Sequence, residues 1–521
     1  MIDVIEKESG TTDPPLNLIS LANYLVDRRI VPKENFLVMN TAFDNVKDEV
    51  LNFKPDIIGF SVLTPFYDLA KRLATELKAL TGATILIGSY HISALPEQLE
   101  EPYDVGVVGE GELTLIELVG LWQKGEIRNF RKLSKVLGIC YFNEKGKVII
   151  TDPRPLIDVA SLPMVDWSII PEKKMLKYMV VPINGRAEAR KFTSMYTARG
   201  CPYNCAFCAH RVLTGGKSGV RNFPIERVLN EMEYLYREYK VTCIQVLDDT
   251  FAVSKTRTRE LIEGLRTRNL LGKICFYMVF IRANIIDQEY SNLLKELGVT
   301  TVFIGIESGS VKVLKAIKDG PMSADMVKKA VKCFGNNQIF ITGSFMLFSP
   351  NEGQKDFSET INLVKWFIKQ KNAFAVIFSI TTPYPGTRLW IDAVKSGLVN
   401  SFKWDEFRMF YLMRAGKMPR VFYRPDWADD KKMYKLWLLY GKFAEAARKN
   451  VQAIPGWRRE ENISQVLYEK LVKSWVTRVH EGEMAGRIRR MVSNPGRSVG
   501  RLLKNPQIII YVLKDIKKIL F

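Results

Sequence analysis

The stretch Arg199-Gly200-Cys201-Pro202-Tyr203-Asn204-Cys205-Ala206-Phe207-Cys208 decides how the fold of this chain is interpreted. It carries three of the seven cysteines, at the spacing C-x3-C-x2-C. Three thiolates on one short loop can hold three corners of an iron–sulfur cube, which leaves the fourth iron without a protein ligand. An iron with an open position can bind and reduce a substrate, whereas a site closed by four cysteines mainly carries electrons. The spacing therefore predicts chemistry at this loop.

The alternatives for the loop are a structural zinc knuckle and three unrelated thiols. Zinc would need a fourth ligand nearby. His210 is the local candidate, and its position two residues after the last cysteine is cramped for a ligand of the same ion. The flanking sequence favours the iron–sulfur interpretation.

The loop resembles the signature of the radical S-adenosylmethionine (SAM) superfamily, C-x3-C-x-aromatic-C. Cys201, Cys205 and Cys208 match the cluster ligands, and Phe207 matches the aromatic position. The resemblance implies a 4Fe-4S cluster whose open iron binds SAM. It also implies a reducing electron donor of the flavodoxin or ferredoxin type.

Length and composition limit the kind of protein. A chain of 521 residues with 47% hydrophobic residues is long enough for two or three domains with sizeable cores. No apolar run approaches the roughly 20 residues of a membrane span, and the N-terminus lacks the form of a signal peptide. An odd number of cysteines, three of them in one loop, predicts a reducing, cytoplasmic location. The net charge of +20 predicts an anionic partner: nucleic acid, a membrane surface or an acidic substrate.

Residues 1–125 alternate short apolar segments with helix-like segments, which predicts a doubly wound, Rossmann-like parallel sheet. After a short first strand within 1–6, strands are predicted over 35–39, 56–62, 83–88 and 104–108. Helices are predicted over 16–29, 67–80 and 112–124. Sheets of this kind bind ligands beyond the carboxyl ends of their strands.

The loops at those carboxyl ends resemble the cobalamin-binding domain that precedes many radical SAM domains. Small residues there let the backbone approach a bulky ligand. The resemblance predicts cobalamin contacts at Leu16, Ser61, Thr64, Gly88, Ser89, His91, Gly109, Glu110, Gly111 and Glu112. We expect His91 to be either a loop residue near the corrin edge or a structural residue. The usual cobalt-binding D-x-H-x-x-G is absent, which fits a base-off cobalamin; a domain that no longer binds cobalamin is the alternative.

Residues 126–190 form a predicted linker. Within it, residues 138–150 alternate apolar and polar residues around Asn143-Glu144-Lys145-Gly146, the pattern of a β-hairpin. Prolines then predict an irregular crossing between domains, at Pro153, Pro155, Pro163, Pro171 and Pro182.

Residues 191–400 carry six predicted strands separated by helical segments. This alternation is typical of a partial (β/α)6 barrel with its active site at the carboxyl ends of the strands. The strands are predicted over 192–198, 243–247, 274–281, 301–306, 339–345 and 373–380. Cys243, Cys275 and Cys333 fall on such segments and are interpreted as core residues.

The strand ends of this barrel resemble the SAM-binding segments of the family. The predicted SAM contacts are Phe207, Asp248, Asp249, Arg282, Glu307, Ser308 and Gly343. Glu307 is the main candidate, because a carboxylate accepts hydrogen bonds from vicinal hydroxyls or from an ammonium group. Asp248 and Asp249 have a second interpretation as caps of the next helix, and Arg282 as a surface arginine. Residues 382–387 resemble the T-P-x-P-G-T of cobalamin-type enzymes and are expected to line the cavity.

Residues 401–521 form a predicted aromatic-rich, basic and mainly helical C-terminal region. Its aromatic residues between 402 and 440 predict core packing, with a cap over an apolar substrate cavity as the alternative. Residues 506–521 place apolar side chains at helical spacing among lysines. That pattern fits either peripheral contact with the inner face of a membrane or packing on the protein. No nucleic-acid partner is expected, because no aromatic-plus-basic binding module stands out.

The resemblance implies a cobalamin-dependent radical SAM enzyme, class B methyltransferase-like, acting on a small molecule or lipid. In such enzymes a 5′-deoxyadenosyl radical removes hydrogen from an unactivated carbon and methylcobalamin donates a methyl group. One alternative is oxidative cyclisation, or carbon–carbon bond formation or rearrangement, on a porphyrin, lipid or isoprenoid. An alternative of another class is a non-catalytic, basic iron–sulfur protein that binds nucleic acid or a membrane. The residues alone name neither the substrate nor a catalytic side chain.

Overall fold

The computed structural model describes residues 1–5, 14–251, 254–400, 402–407 and 420–457. Among them, no helix combines the length and apolar character needed to cross a membrane. The predicted amphipathic helix over 506–521 lies outside the described residues and stays a prediction.

The strands of the described residues are β1 (Ile2–Val4), β2 (Met39–Asn40), β3 (Ile57–Val62), β4 (Thr84–Gly88), β5 (Val105–Val107), β6 (Ile139–Phe142), β7 (Val148–Ile150), β8 (Lys177–Ile183), β9 (Arg186–Met195), β10 (Ala198–Arg199), β11 (Arg221–Asn222), β12 (Cys243–Val246), β13 (Cys275–Tyr277), β14 (Val279–Ile281), β15 (Thr301–Glu307), β16 (Phe340–Leu347) and β17 (Ala373–Ile380). The helices are α1 (Leu16–Asp27), α2 (Val46–Phe53), α3 (Tyr67–Thr81), α4 (Tyr90–Ala94), α5 (Glu112–Gln123), α6 (Phe130–Leu133), α7 (Glu172–Met175), α8 (His210–Leu213), α9 (Ile225–Tyr239), α10 (Lys255–Thr267), α11 (Gln288–Leu297), α12 (Val311–Ile317), α13 (Ala324–Asn336), α14 (Gln354–Phe367), α15 (Arg388–Lys395) and α16 (Asp430–Gln452).

The first sheet confirms the predicted Rossmann-like parallel arrangement. Its order is β2-β1-β3-β4-β5-β6-β7, and β1 to β5 are parallel. The predicted hairpin is present as β6 and β7, and β6 joins the sheet antiparallel to β5. The prediction of a strand over 35–39 was wrong: residues Lys33–Asn35 form a 3-10 turn. The short β1 offers partners only for Met39 and Asn40, so β2 has two residues.

The barrel has the six predicted parallel strands, in two sheets of order β13-β12-β9-β8 and β14-β15-β16-β17. The strand predicted over 274–281 is divided, because Met278 adopts a left-handed φ of 54° between β13 and β14. Before the barrel, β8 pairs antiparallel with β9 inside the predicted linker. Sequence reasoning missed β8, since Pro182 argued against a strand; β8 is an edge strand, where proline is tolerated.

The core predictions for the barrel and the aromatic segment are confirmed. Cys243, Cys275 and Cys333 are buried. Among the aromatic residues of the described C-terminal part, the buried ones include Trp404, Phe407, Phe422 and Trp437. Helix α16 packs against β17, and its end brings Val451 and Ile454 against Phe340. Helix α16 therefore extends the barrel core.

Candidate functional site

One cavity of about 820 Å³ runs from the interior of the first sheet to the start of the barrel. Its inner part, called the hollow here, lies between the first sheet and helices α1 and α5 and is lined by Leu18, Leu21, Val107, Leu115 and Val119. Its outer part reaches Gly200, His210 and Asp249. Protein interiors contain few voids larger than a water molecule. A hollow of this size under a parallel sheet therefore marks space for a ligand.

Gly59 contributes to the space in the hollow, because it stands on the face of β3 that points toward α1 and α5. Side chains alternate along a strand, so Gly59 shares this face with Ile57 and Ser61. Ile57 packs against the cluster that contains Leu118 of α5, and Ser61 accepts a hydrogen bond from α1. A Cβ added to Gly59 meets no atom within 4 Å. The missing side chain leaves room that a larger residue would fill.

The mouth of the hollow is formed by strand-end loops. The Asn17 amide of α1 donates to the Ser61 hydroxyl at 2.9 Å. Ser89, just after β4, has φ 80° and ψ −163°, a region that non-glycine residues rarely adopt. Strained backbone of this kind is typical of sites where a ligand approaches the chain closely.

Seven of the ten predicted cobalamin contacts line this cavity, namely Ser61, Gly88, Ser89, Gly109, Glu110, Gly111 and Glu112. The other three are packed within the protein. Leu16 begins α1 and is buried, and Thr64 is buried beside His91.

His91 is not the loop residue that we expected. It lies in α4 and is 1% exposed, with its ring centroid 4.0 Å from that of Tyr67 and 4.7 Å from that of Trp404. Its Nδ1 is 3.4 Å from the Thr64 hydroxyl. Burial lowers the pKa of His91 to about 3, so the ring is neutral at pH 7. The structural interpretation is supported, and a position near the corrin edge stays a prediction.

Glu110 and Glu112 border the cavity, but their carboxylates bind arginines of the barrel part. Arg199 pairs with Glu112 at 2.6 Å and with Glu110 at 3.2 Å, and Arg221 pairs with Glu110 at 2.5 Å. Burial opposes ionisation of Glu110, but bonds and charges from Arg221 and Arg199 outweigh it and lower its pKa. Arg199 precedes Cys201 by two residues. The two glutamates therefore hold the start of the cysteine loop, a role that sequence reasoning missed because the arginines are about a hundred residues away.

The cysteine loop, residues 201–208, keeps its three thiols half-buried. Gly200 has φ +91°, and a Cβ there would stand 2.4 Å from the Gly219 carbonyl oxygen, so only glycine fits. Burial raises the pKa of Cys201 to about 11 and that of Cys208 to about 12. Iron binding at these positions must displace the thiol protons.

The donor set of the loop fits a cluster better than a single zinc ion. Within the described ranges, no three His, Cys, Asp or Glu side chains form a group suited to one metal ion. A cubane takes each thiolate on a different iron, so its three ligands need not converge on one point. The Cys208 sulfur lies 3.5 Å from His210 Nδ1, so His210 is a neighbour of the loop.

Asp248 and Asp249 follow β12 and differ in surroundings. The buried Asp248 carboxylate accepts from the backbone nitrogens of Thr197 at 2.7 Å and Ala198 at 3.0 Å. Asp249 accepts from Gly200 N at 3.1 Å and its side chain lines the cavity. Both interpretations as helix caps were wrong, because Ser254 caps α10. Asp249 is therefore the member of the pair that can reach a ligand.

Arg282 is buried, not on the surface as its alternative interpretation proposed. Its guanidinium carbon lies 3.9 Å from the centre of the Tyr203 ring in the cysteine loop. Nη2 donates to the carbonyl oxygens of Asp319 and Gly320. Nε and Nη1 are buried with no hydrogen-bond partner. Since buried polar groups are normally paired, these two donors fit a carboxylate ligand.

The remaining predicted SAM contacts are engaged within the protein. Glu307 pairs with Lys318 at 3.0 Å, and Lys318 also lies 6.0 Å from the centre of the Phe207 ring. The Ser308 hydroxyl bonds Thr360 Oγ1 at 2.8 Å. A Cβ on Gly343 would press on Ile306 and Phe367 at 3.0–3.1 Å.

Residues 382–387 were expected to line the cavity, but they lie outside its lining. Thr387 instead caps α15 by accepting from Trp390 N at 3.1 Å.

Two family models match the chain. Residues 195–364 match the Radical SAM superfamily, and residues 3–119 match the B12 binding domain. An uncharacterized methyltransferase of Pyrococcus horikoshii is 34% identical, over 77% of this chain and 83% of the relative. The anaerobic magnesium-protoporphyrin IX monomethyl ester cyclase of Rubrivivax gelatinosus is 26% identical, over 67% of this chain and 60% of the relative.

Among solved structures, the radical S-adenosylmethionine methyltransferase TsrM from Kitasatospora setae, with cobalamin and a 4Fe-4S cluster bound, has the same fold. Its TM-score is 0.60 at 18% identity, over 76% of this chain and 74% of that chain. The predicted cofactors, a 4Fe-4S cluster, SAM and cobalamin, are those of the two matched domains. The non-catalytic alternative is therefore set aside. The chain belongs to the family of cobalamin-dependent radical SAM enzymes.

Proposed function

We propose that the protein methylates an unactivated carbon of a small molecule or lipid. The observation that carries the proposal is a continuous cavity, which joins the hollow of the first sheet to Asp249 and Gly200 beside the cysteine loop. A methyl carrier and a radical source can work on the same carbon only if they share one enclosed space. When bound, the cluster and SAM supply hydrogen-abstracting radical chemistry and cobalamin supplies the methyl group.

The hollow suits the nucleotide tail of a base-off cobalamin. Its lining is mainly apolar, and the strand-end loops at its mouth bring backbone close to the space where a corrin ring would lie. The sequence has no D-x-H-x-x-G, and His91 is neutral and packed between Tyr67 and Trp404. We infer that no histidine of the first sheet binds the cobalt.

The barrel part would orient SAM through the few polar groups that the fold leaves available. Cys201, Cys205 and Cys208 would hold the cluster. The unpartnered nitrogens of Arg282 suit the SAM carboxylate, and Asp249 suits the ammonium group.

Methyl transfer is favoured over cyclisation by the relative with the broader match. The 34%-identical relative is named a methyltransferase and is covered over 83% of its length, whereas the cyclase is covered over 60%.

The test is anaerobic reconstitution of the full chain with iron, sulfide and cobalamin, followed by incubation with methyl-labelled SAM and extracts of the source organism. We expect label in a product together with 5′-deoxyadenosine. Formation of 5′-deoxyadenosine without transferred label would replace the proposal with a cyclase-type reaction. Cys205→Ala should lose SAM cleavage, while Cys333→Ala, which changes a buried core cysteine, should retain it. SAM cleavage by Cys205→Ala would refute the cluster assignment.

A further inference from the structure

The side of the cysteine loop away from the cavity is held by helices α12 and α15. Ala206 N donates to the Ile317 carbonyl at the end of α12 at 2.7 Å, and Leu389 N of α15 donates to the Ala206 carbonyl at 3.1 Å. Arg388 Nη2, at the start of α15, donates to the Asn204 carbonyl at 3.0 Å. Both helices therefore touch the residues that flank Cys205.

The charged residues on the exposed faces of these two helices are mainly basic. On α15, Arg388, Asp392 and Lys395 recur at helical spacing and are exposed, and Asp392 is the single acid in the helix. On α12, Lys315 is exposed two residues before Ile317, and the helix contains no acid. This surface attracts negative charge.

Exposed apolar side chains lie among the basic ones. Val311 of α12 is 47% exposed, and Ile391 and Val394 of α15 are 47% and 41% exposed. Exposed apolar groups beside an arginine are typical of surfaces that bind another protein. The helix α15 is about 12 Å long and its first turn contacts the loop, so the far end of the helix lies about 12 Å from that contact.

We propose that the exposed faces of α12 and α15 form the docking surface for an acidic one-electron carrier protein of the flavodoxin or ferredoxin class. The inference rests on the proposed function, which requires a reduced cluster. The cavity, where cofactors and substrate would lie, is lined by Gly200 and His210 on either side of the loop and by no residue of α12 or α15. One electron leaves the reduced carrier and enters the cluster, so the carrier is oxidised, the cluster is reduced, and no proton moves.

The test uses the reconstituted full chain and the rate at which the oxidised cluster loses its visible absorbance. The reductants are reduced flavodoxin and photoreduced deazaflavin, a small neutral molecule. The variants are Lys315→Glu and the double variant Lys315→Glu/Lys395→Glu. The control is Lys145→Glu, which makes the same charge change in the exposed turn of the β6–β7 hairpin.

We expect the flavodoxin rate to fall about 10-fold or more in the double variant at low salt, because electrostatic steering governs such encounters. The difference should shrink at high salt, and the deazaflavin rate should stay unchanged. Calorimetry with oxidised flavodoxin should show the same loss of affinity without any electron transfer. Equal flavodoxin rates and affinities for the double variant and Lys145→Glu would overturn the inference and leave the proposed function standing. A chain that deazaflavin cannot reduce would overturn both.

Discussion

The carboxyl edge of the first sheet and that of the barrel border the same cavity, but they are built differently. The first edge offers backbone and small residues, such as Gly88, Ser89 and Gly109, around a space that the protein leaves empty. The barrel edge offers charged and polar side chains that mostly bind the protein itself, as Glu307 binds Lys318 and Ser308 binds Thr360.

This difference separates two ways of binding a ligand. The first edge selects by shape, so its affinity should respond to side chains that fill the space. We propose that the barrel edge selects through the unpartnered Nε and Nη1 of Arg282 and through Asp249, which borders the cavity, so its affinity should respond to removal of those groups. Changes to the other polar residues of the barrel edge should alter stability alone.

The largest expected effect is that of Gly59→Leu on cobalamin binding. The leucine side chain would occupy the hollow, so we expect affinity to fall on the order of 100-fold, as overpacking of a fitted site implies. The apoprotein should fold normally, because a Cβ at Gly59 meets no atom within 4 Å. Equilibrium dialysis with cobalamin and the Tm of the apoprotein measure the two effects.

Gly120→Leu is the matched control for this change. Gly120 lies in α5, its added Cβ also meets nothing within 4 Å, and it does not line the cavity. Its cobalamin affinity should equal that of the wild type. Undiminished binding by Gly59→Leu would show that the hollow is not the cobalamin site.

The next effect is that of Arg282→Gln on SAM binding. Loss of two charge-assisted hydrogen bonds should weaken SAM about 30-fold, with the iron content of the reconstituted protein unchanged. Arg227→Gln is the control, because Arg227 is also largely buried and lies 3.9 Å from the centre of the Phe223 ring. That variant should lose stability but keep its SAM affinity. If both variants weaken SAM binding equally, Arg282 acts through the fold.

Asp248→Asn should remove a pH dependence of stability. Burial raises the pKa of Asp248 from its usual 3.8 to about 7, so the folded state keeps a proton that the unfolded chain loses. This contribution is present at low pH and is lost as pH rises toward 7 and above. Asparagine can keep the bonds to Thr197 and Ala198. Between pH 5 and 7, wild-type stability should fall by about 1 kcal/mol per pH unit relative to the variant, in denaturant unfolding of the apoprotein. Parallel pH profiles would contradict the buried, protonated state.

Most of the fold followed from local sequence, because continuous apolar runs identify buried parallel strands. β17 matches its predicted bounds, and β3 and β4 match within one residue. The errors arose where distant contacts decided the conformation. β2 is short because β1 is short, and the strand over 274–281 breaks at Met278, for which the residues give no warning.

The positions of small residues that line the cavity could be predicted from the sequence. The roles of charged residues could not, because these residues can form ion pairs within the protein. Gly88 and Gly109 line the cavity as expected, because a glycine has no side chain that could bind another part of the protein instead. Glu112 has a partner, Arg199, that only the fold brings near. His91 packs on Trp404, far along the chain, so no local pattern could have identified its role.

The smallest expected effect tests whether the paired polar side chains of the barrel edge stabilise the fold without binding SAM. Ser308→Ala removes a buried hydroxyl that bonds Thr360 Oγ1 at 2.8 Å and accepts from Ser310 N at 3.1 Å, so unfolding should become easier by about 1 kcal/mol. SAM affinity should not change, because this hydroxyl faces α14.

Thr360→Val removes the other hydroxyl, which also accepts a hydrogen bond from Gly309 N, and should lower stability in the same way. The double variant should cost less than the sum, because the shared bond is lost once. A fall in SAM affinity at unchanged stability would instead make Ser308 a ligand contact, and the barrel edge would then bind SAM through more groups than Arg282 and Asp249.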